Sequence, residues 1–281
     1  MLPKIDVPND LTYVGVFLTL RCNYKCIYCI NRHGKLSRRR ELTPEQWVEG
    51  LNRLNITRSL MVPLTLQGGE PSVYKGWLDI IEGVRPEFYI DILTNLTFDL
   101  DDFIKRILPG RLQRNVPYAS IRVSYHPEWA DYDVLLRRIL ALQGAGYDIG
   151  LFVVDHPNVG IEILKRTALL AGVDFRTKQF LGEYHGQLYG TYKYPRVMRG
   201  KVKDVECKNT EILIAPDGHL HRCHRDLYAG INPIGHILDE DLEIGFKFRN
   251  CQTPSCNECD VKIKNNRFQE YGSCAITLRS T

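Results

Sequence analysis

Residues 13–29 read YVGVFLTLRCNYKCIYC, an apolar run followed at once by three cysteines. The run over residues 13–20 is rich in Val, Phe and Leu and has the length of a buried strand. The cysteines at positions 22, 26 and 29 come where this strand ends. The sequence therefore predicts a strand that delivers a thiol-rich loop to one edge of a sheet.

The same alternation of strand and helix recurs along the first two thirds of the chain. Five more strands are predicted, over residues 61–67, 88–94, 119–125, 148–155 and 173–181. Apolar residues repeat at helical spacing between them, and Thr43-Pro44-Glu45-Gln46 has the form of a capped helix start. Six such units predict an α/β fold, a partial (β/α)6 TIM-like barrel with its chemistry at the carboxyl ends of the strands.

Beyond residue 181 the alternation stops. Glycine and tyrosine accumulate up to residue 194, and a hairpin is predicted over residues 211–215 and 219–223 around Pro216-Asp217-Gly218. Six of the nine cysteines lie beyond residue 206. We therefore expect a barrel over residues 1–181, a linker over 182–206 and a small cysteine-rich α+β domain over 207–281.

Composition and charge narrow the class of protein. The 281-residue chain has 44% apolar and 25% charged residues, the balance of a soluble globular protein, and a net charge of +4. No run approaches the roughly 20 apolar residues of a membrane helix, and the first ten residues do not resemble a signal peptide. We expect a cytoplasmic protein without membrane contact. The charge permits an anionic small-molecule substrate, whereas Arg38, Arg39 and Arg40 indicate a solvated loop rather than a nucleic-acid site.

The cysteines indicate metal chemistry, because disulfides are rare in a reducing compartment. The thiolates of Cys22, Cys26 and Cys29 lie on one short loop and can hold three irons of a [4Fe–4S] cluster while the fourth iron stays open. A zinc site is the alternative, although zinc usually takes four ligands supplied as pairs. The spacing favours the iron–sulfur interpretation.

A second motif, Gly68-Gly69-Glu70-Pro71, follows the second predicted strand. A Gly-Gly turn alone is common. Here it lies one strand away from the cysteines at the same edge of the predicted sheet. Glycine lets the backbone approach a ligand closely, and a carboxylate accepts hydrogen bonds from an ammonium group. The two motifs together are far more specific than either alone.

The CxxxCxxC loop after strand one and the GGEP after strand two make the chain resemble the radical S-adenosylmethionine (radical SAM) superfamily over about residues 13–181. The resemblance implies that Cys22, Cys26 and Cys29 ligate an oxygen-sensitive cluster whose open iron takes S-adenosylmethionine. The other implied cofactor contacts are Tyr28 near the adenine, Gly68, Gly69 and Glu70 at the amino group, and Asn95 and Ser124 at the ends of strands three and four. For Asn95 and Ser124, ordinary capping of strand ends is an equal alternative.

The second cysteine group resembles the Twitch and SPASM auxiliary-cluster domains of that superfamily. Cys207 and Cys223 enclose the hairpin, and Cys256 and Cys259 supply a further pair. The chain lacks the CxxCxxxxxCxxxC run of a full SPASM domain, so it fits the shorter Twitch type. The resemblance then implies one auxiliary [4Fe–4S] cluster on those four cysteines. A zinc ribbon that uses His219, His221 and Cys223 on one strand face is the alternative.

The resemblance also implies a reaction, in which a 5′-deoxyadenosyl radical takes hydrogen from an unactivated carbon. We expect a two-electron oxidation with the auxiliary cluster as electron acceptor, as in small Twitch enzymes that oxidise an aminocyclitol alcohol. Epimerisation is the alternative, with Cys251 or Cys274 as hydrogen donor.

The expected substrate is a sugar, an aminocyclitol or a nucleotide-sugar, and peptide modification is a further alternative. Gln67 is a substrate-side candidate by its likeness to a position in sulfatase-maturing relatives. Further candidates to line the pocket are Tyr125, His126, Asp155 and His156. The implied protein partner is an electron donor such as flavodoxin or ferredoxin. The competing class is a non-catalytic zinc- or cluster-binding module.

Overall fold

Six parallel strands follow one another in chain order through the computed structural model, which describes residues 2–26, 29, 40–57, 61–180, 182–190, 205–251 and 276–280. The strands are β1 (Tyr13–Thr19), β2 (Leu64–Gly68), β3 (Ile90–Thr94), β4 (Ile121–Tyr125), β5 (Ile149–Asp155) and β6 (Asp174–Gln179). Each pairs in parallel with the next. The predicted α/β fold with a partial barrel is therefore confirmed.

Helices connect these strands and cover one face of the sheet. They are α1 (Pro44–Arg53), α2 (Trp77–Gly83), α3 (Leu100–Arg106), α4 (Tyr132–Gly144) and α5 (Ile161–Leu170). The predicted capping box begins α1, because the Thr43 hydroxyl accepts a hydrogen bond from the Gln46 amide and the Gln46 side chain accepts one from the Thr43 amide. None of the helices in the described ranges is long and apolar enough to span a membrane.

The two faces of the sheet differ because side chains alternate along each strand. Val14, Val16 and Leu18 of β1 belong to the main core with the apolar sides of the helices. Tyr13 and Phe17 belong to a second, smaller cluster on the opposite face, which we call the open face. The strand register shows which residues of the other strands lie on this same open face. They are Gln67, Asp91, Arg122, Ser124, Phe152 and Lys178. The open face therefore carries most of the polar side chains of the strands.

The predicted hairpin forms, and it joins the barrel sheet. Strand β7 (Glu211–Ile214) pairs in parallel with β1, and β8 (His219–His221) and β9 (Gly235–His236) follow in antiparallel pairing. A short helix, α6 (His224–Ala229), comes directly after β8. The sheet thus continues beyond β1, although the sequence analysis placed this hairpin in a separate domain. The proposed domain limits themselves stay a prediction.

The remaining short strands lie outside this sheet. Ile5–Asp6 pairs in parallel with Leu54–Asn55, and Gly182–Tyr184 forms a hairpin with Gln187–Tyr189. Val205–Asn209 pairs with both Arg249–Asn250 and Ile276–Ser280. The predicted linker over residues 182–206 therefore contains regular structure.

Candidate cofactor and cluster site

The cysteine loop leaves the carboxyl end of β1. Cys22 is exposed, and Cys26 and Cys29 are partly buried. The Tyr24 amide donates a hydrogen bond to the Cys22 sulfur at 3.3 Å, and the Cys29 amide donates one to the Cys26 carbonyl at 3.1 Å. Burial, followed by the charges of Cys29 and Cys22, raises the pKa of Cys26 to about 12. The three thiols therefore lie close enough to oppose one another's ionisation, and a bound cationic group would relieve this repulsion.

These thiols fit an iron–sulfur cluster, in which each thiolate binds a different iron. Tyr28 lies outside the described residues, so its contact with the adenine stays a prediction.

The two glycines of the second motif bring their loop against the cysteine loop. The Gly69 amide donates to the Thr19 carbonyl, and the Glu70 amide donates to the Arg21 carbonyl, both at 2.9 Å. A Cβ atom on Gly68 or Gly69 would lie 2.0 Å from the carbonyl oxygen of Thr19 or Arg21, respectively. Only glycine permits this contact, so both glycines join the two motifs whether or not they also bind the cofactor.

Glu70 is buried beneath this junction. One carboxylate oxygen accepts hydrogen bonds from the Ser72 amide and hydroxyl and from the Thr94 hydroxyl, and the other accepts one from the Asn95 amide at 2.7 Å. Burial raises the pKa of Glu70, and these hydrogen bonds oppose the rise. These donors are all neutral, so the charge of the carboxylate is complementary to a cationic ligand.

Asn95 links Glu70 to the cysteine loop. Its side-chain nitrogen donates to the side-chain oxygen Oδ1 of Asn23 at 2.8 Å, and its own Oδ1 accepts from the Thr97 hydroxyl at 2.7 Å. Asn23 in turn donates to the Thr97 hydroxyl at 2.8 Å. Asn23 lies between Cys22 and Cys26, so this amide chain positions the loop that carries the cluster. The cofactor contact predicted for Asn95 stays a prediction.

Glu41 holds the other side of the loop. Its carboxylate accepts a hydrogen bond from the Thr19 hydroxyl at 2.5 Å. It also forms a bidentate salt bridge with the Arg21 guanidinium group, with N···O distances of 3.0 and 3.2 Å. The sequence analysis missed Asn23, Thr97 and Glu41 as positioning residues. For Glu41, the available signal was a single acidic residue directly after three arginines.

Aromatic side chains cover the tip of the cysteine loop. Tyr24 stacks on Trp129, with ring centres 5.7 Å apart, and contacts His126 edge to face. Burial lowers the pKa of His126 to about 4, so this imidazole is neutral at physiological pH. His126 therefore packs beside the cluster loop. A role for it, or for Tyr125, Asp155 and His156, in lining a substrate pocket stays a prediction.

The other predicted site residues lie farther along the sheet. Gln67 lies on the open face and donates a hydrogen bond to the Tyr13 hydroxyl at 2.7 Å. Ser124 is partly buried on that face. The predicted substrate contact of Gln67 and the predicted cofactor contact of Ser124 stay predictions.

The second cysteine group begins outside this sheet, just before β7, which starts alongside the amino end of β1. Cys207 lies on the strand Val205–Asn209, and Cys223 caps α6. The Asn209 side chain donates a hydrogen bond to the Arg222 carbonyl, which ties the two segments together. Cys251 directly follows the strand Arg249–Asn250, which pairs with the strand of Cys207. Cys256, Cys259 and Cys274 lie outside the described residues.

The histidines of the zinc alternative have other contacts. A ring nitrogen of His221 lies 3.1 Å from the Ile231 carbonyl, and His219 lies 3.3 Å from Asp217. Each contact engages one ring nitrogen of its histidine, and the zinc-ribbon alternative stays a prediction.

A parallel half-barrel that brings three thiols and a buried glutamate together at the carboxyl ends of adjacent strands defines a cofactor-dependent iron–sulfur protein. The chain belongs to the radical SAM superfamily, whose family model matches residues 16–171. It is therefore a radical SAM enzyme that binds a [4Fe–4S] cluster and S-adenosylmethionine. This confirms the predicted cofactors of the barrel.

Relatives with assigned names match part of the chain. A probable GTP 3′,8-cyclase of Thermococcus kodakarensis is 32% identical over 116 residues, which are 41% of this chain and 37% of the relative. A probable GTP 3′,8-cyclase of Methanothermobacter marburgensis is 25% identical over 223 residues, which are 78% of this chain and 64% of the relative. The chain thus spans less than two thirds of the length of either relative.

A solved structure shares the fold. Native anSMEcpe with bound AdoMet and the Kp18Cys peptide superposes with a TM-score of 0.55 and 14% identity, and the match covers 84% of this chain and 78% of the other. At this identity the likeness concerns the fold alone.

Proposed function

We propose that this radical SAM enzyme catalyses the two-electron oxidation of a small anionic substrate, such as a sugar, aminocyclitol or nucleotide-sugar, in the cytoplasm. A second [4Fe–4S] cluster of the Twitch type, on Cys207, Cys223, Cys256 and Cys259, would accept the electron that the substrate loses. The observation that carries this proposal is the pairing of the hairpin strand β7 with β1.

Strand register supports two separate redox positions on one sheet. Glu211 of β7 lies opposite Tyr13, at the amino end of β1, and β8 runs back towards that same end before Cys223. Cys22 follows the carboxyl end of β1. The seven residues of β1 span about 20 Å, which separates the two proposed redox positions along the open face.

Cys22, Cys26 and Cys29 would hold the cluster, and a bound cluster would supply the electron for reductive cleavage of S-adenosylmethionine to methionine and a 5′-deoxyadenosyl radical. Glu70 would hold the cationic amino group of the cofactor. The hydrogen bond between Asn95 and Asn23 would fix the position of the cysteine loop relative to Glu70. Such fixed positioning brings the substrate C–H bond to the reactive carbon and excludes quenchers.

The open face supports a polar, anionic substrate. Lys178 lies on this face with its ammonium group 5.3 Å from the centre of the Phe152 ring. Gln67 and Tyr13 form a hydrogen-bonded pair on the same face. In the proposed reaction a substrate alcohol carbon would lose its hydrogen atom to the 5′-deoxyadenosyl radical. It would then lose its hydroxyl proton to solvent or a base and one electron, for which the second cluster would be the acceptor, and a carbonyl group would remain.

Anaerobic reconstitution tests this proposal in two stages. We expect about eight irons per chain and formation of 5′-deoxyadenosine with dithionite; about four irons would remove the auxiliary cluster. Absence of 5′-deoxyadenosine would contradict cofactor cleavage itself. The variant Cys223→Ser should retain cofactor cleavage and lose substrate oxidation, whereas the matched variant Cys251→Ala should retain both.

A second candidate is cyclisation of a purine nucleoside triphosphate. It is favoured by the match of 78% of this chain to a relative named probable GTP 3′,8-cyclase. Consumption of GTP in proportion to 5′-deoxyadenosine would support this candidate over sugar oxidation. Epimerisation would instead incorporate solvent deuterium into the product and would require Cys251 or Cys274.

A further inference from the structure

Aromatic rings cluster just beyond the carboxyl ends of β5 and β6. Phe180 directly follows β6, and side-chain alternation places it on the same side of the strand as Lys178, which belongs to the open face. His156 directly follows β5 and is buried. Its ring contacts the Phe180 ring edge to face, with ring centres 4.6 Å apart. The open face therefore ends in aromatic rings at the same edge of the sheet as the cysteine loop.

The hairpin that follows β6 brings two more rings to this cluster. We call residues 182–189 the tyrosine hairpin. Strand pairing places Tyr184 and Tyr189 on one face of it. The centre of the Tyr184 ring lies 4.8 Å from that of His156, and the centre of the Tyr189 ring lies 5.9 Å from that of Phe180. The tyrosine face of the hairpin thus packs against the end of the open face.

Tyr184 is held in a fixed orientation and keeps part of its surface accessible. Its hydroxyl donates a hydrogen bond to Asn158 Oδ1 at 2.8 Å, and the side chain is only partly buried. In the described part of the chain, the rings that contact it are those of His156, His185 and Tyr189, at interplanar angles of 63° to 89°. None of these rings lies parallel to Tyr184, so a planar ligand can stack on it.

A cation lies next to these rings on the open face. Lys178 precedes Phe180 by two residues, about 7 Å along the strand, and its ammonium group is 5.3 Å from the centre of the Phe152 ring. An aromatic ring stacks on any nucleobase, and a lysine ammonium group binds phosphate as a point charge. A fixed ring and a cation at this spacing therefore match the two chemical parts of a nucleotide.

We infer that the tyrosine hairpin and Lys178 bind the nucleotide part of a nucleotide-sugar, with the base stacked on Tyr184 and a phosphate group at the Lys178 ammonium group. The inference rests on the proposed function and narrows its substrate from sugars, aminocyclitols and nucleotide-sugars to the last of these. No bond forms or breaks at this subsite. Binding energy from the nucleotide would instead position the sugar carbon for hydrogen abstraction.

Calorimetric titration of the reconstituted full-length enzyme tests the inference. The probes are ADP, GDP, CDP and UDP, with inorganic pyrophosphate as the probe that lacks a base. S-adenosylmethionine is kept at saturation, so that its own adenine site is filled. Tyr184→Ala removes the ring, and Tyr184→Phe removes only the hydroxyl. The matched control is Leu188→Ala, which removes a 41% exposed side chain from the other face of the same hairpin. Lys178→Gln removes the cation, and Lys165→Gln on α5 is its control at an exposed position.

We expect the wild type to bind at least one of these nucleoside diphosphates about tenfold more tightly than pyrophosphate. Tyr184→Ala should lower that affinity about tenfold, because it removes the stacking surface. Tyr184→Phe and Leu188→Ala should stay near the wild-type affinity, since both keep the ring. Lys178→Gln should weaken nucleoside diphosphates and pyrophosphate alike, whereas Lys165→Gln should change neither.

The variant Tyr184→Trp reads stacking directly if Tyr184→Ala binds too little iron. Its additional indole fluorescence should be quenched by the nucleoside diphosphate and not by pyrophosphate. Affinities for all four nucleoside diphosphates no higher than that for pyrophosphate would overturn the inference. An equal loss in Leu188→Ala would also overturn it. So would a tenfold loss of S-adenosylmethionine affinity in Tyr184→Ala, because the ring would then belong to the cofactor site.

The inference and the proposed function fail in different ways. Nucleotide binding that depends on Tyr184, without oxidation of any nucleotide-sugar, would contradict the proposed function alone. Oxidation of a free sugar or aminocyclitol by an enzyme without affinity for nucleoside diphosphates would contradict the inference alone.

Discussion

The two ends of strand β3 bury two carboxylates in different ways. Asp91, near the amino end, is paired with the guanidinium groups of Arg114 and Arg122, and all three side chains are at most 3% exposed. Glu70 contacts Thr94 and Asn95 at the carboxyl end and accepts hydrogen bonds from neutral donors there. Asp91 has its countercharge within the fold, whereas the hydrogen-bond donors to Glu70 are all neutral. A buried carboxylate held by neutral donors is suited to a cationic ligand, while one enclosed by arginines serves the fold.

The buried ion cluster around Asp91 should dominate stability. Arg122 donates to Asp91 at 2.9 Å, and both guanidinium groups lie over the Tyr118 ring. Asp91→Asn leaves two buried cations without a carboxylate and should lower the free energy of unfolding by about 3–5 kcal/mol. Urea unfolding checks this. The control Asp174→Asn removes the more exposed pair with Arg176 and should cost at most about 1 kcal/mol.

The same variant tests the division of roles along β3. Asp91→Asn enzyme that remains folded and fully loaded with iron should cleave S-adenosylmethionine at the wild-type rate. A selective loss of cofactor affinity in that enzyme would show that the two carboxylates do not divide stability and ligand binding.

Glu70 should dominate cofactor binding. Glu70→Gln removes the negative charge and places an amide donor against the donors of Thr94 and Asn95. We expect the affinity for S-adenosylmethionine to fall about 100-fold, the lower range for unpairing a buried charge. Equilibrium dialysis with the reconstituted enzyme measures this change. An unchanged dissociation constant would remove the proposed contact between Glu70 and the cofactor amino group.

Breaking the hydrogen bonds that link Glu70 to the cysteine loop should affect the enzyme less than removing the charge of Glu70. Asn23→Ala removes the acceptor of the Asn95 side chain and the donor to Thr97, at a cost of about 1–2 kcal/mol in loop order. We expect a changed electron paramagnetic resonance spectrum of the reduced cluster and about tenfold slower cofactor cleavage. Asn23→Asp keeps the acceptor and should recover part of the rate. If Asn23→Ala has wild-type spectra and rate, Asn95 does not position the loop.

The sequence predicted those parts of the molecule that local patterns encode. The strands β1 to β6, the cap at Thr43 and the two motifs at one edge follow from spacing and turn chemistry. The bond between Asn23 and Asn95 joins positions 72 residues apart, and neither residue belongs to a spaced pattern. The pairing of β7 with β1 is likewise non-local. Such contacts depend on which loops the finished sheet brings together, and a single sequence does not show this.

The smallest expected effect is that of the neutral His126 side chain on the pH dependence of the free energy of unfolding. Burial lowers its pKa to about 4, below the ordinary value near 6.5. Between these values the unfolded chain binds a proton that the folded chain excludes, so this group makes the protein less stable as the pH falls from 6.5 towards 4. We expect the His126 imidazole resonances of the iron-free protein to show no titration between pH 5 and 7.5. His126→Gln should make the unfolding free energy less dependent on pH across pH 5–6.5. A midpoint near 6.5 for His126 would mean that the aromatic cover over Tyr24 admits water, and the carboxyl edge would then be less enclosed than the Asp91 end of β3.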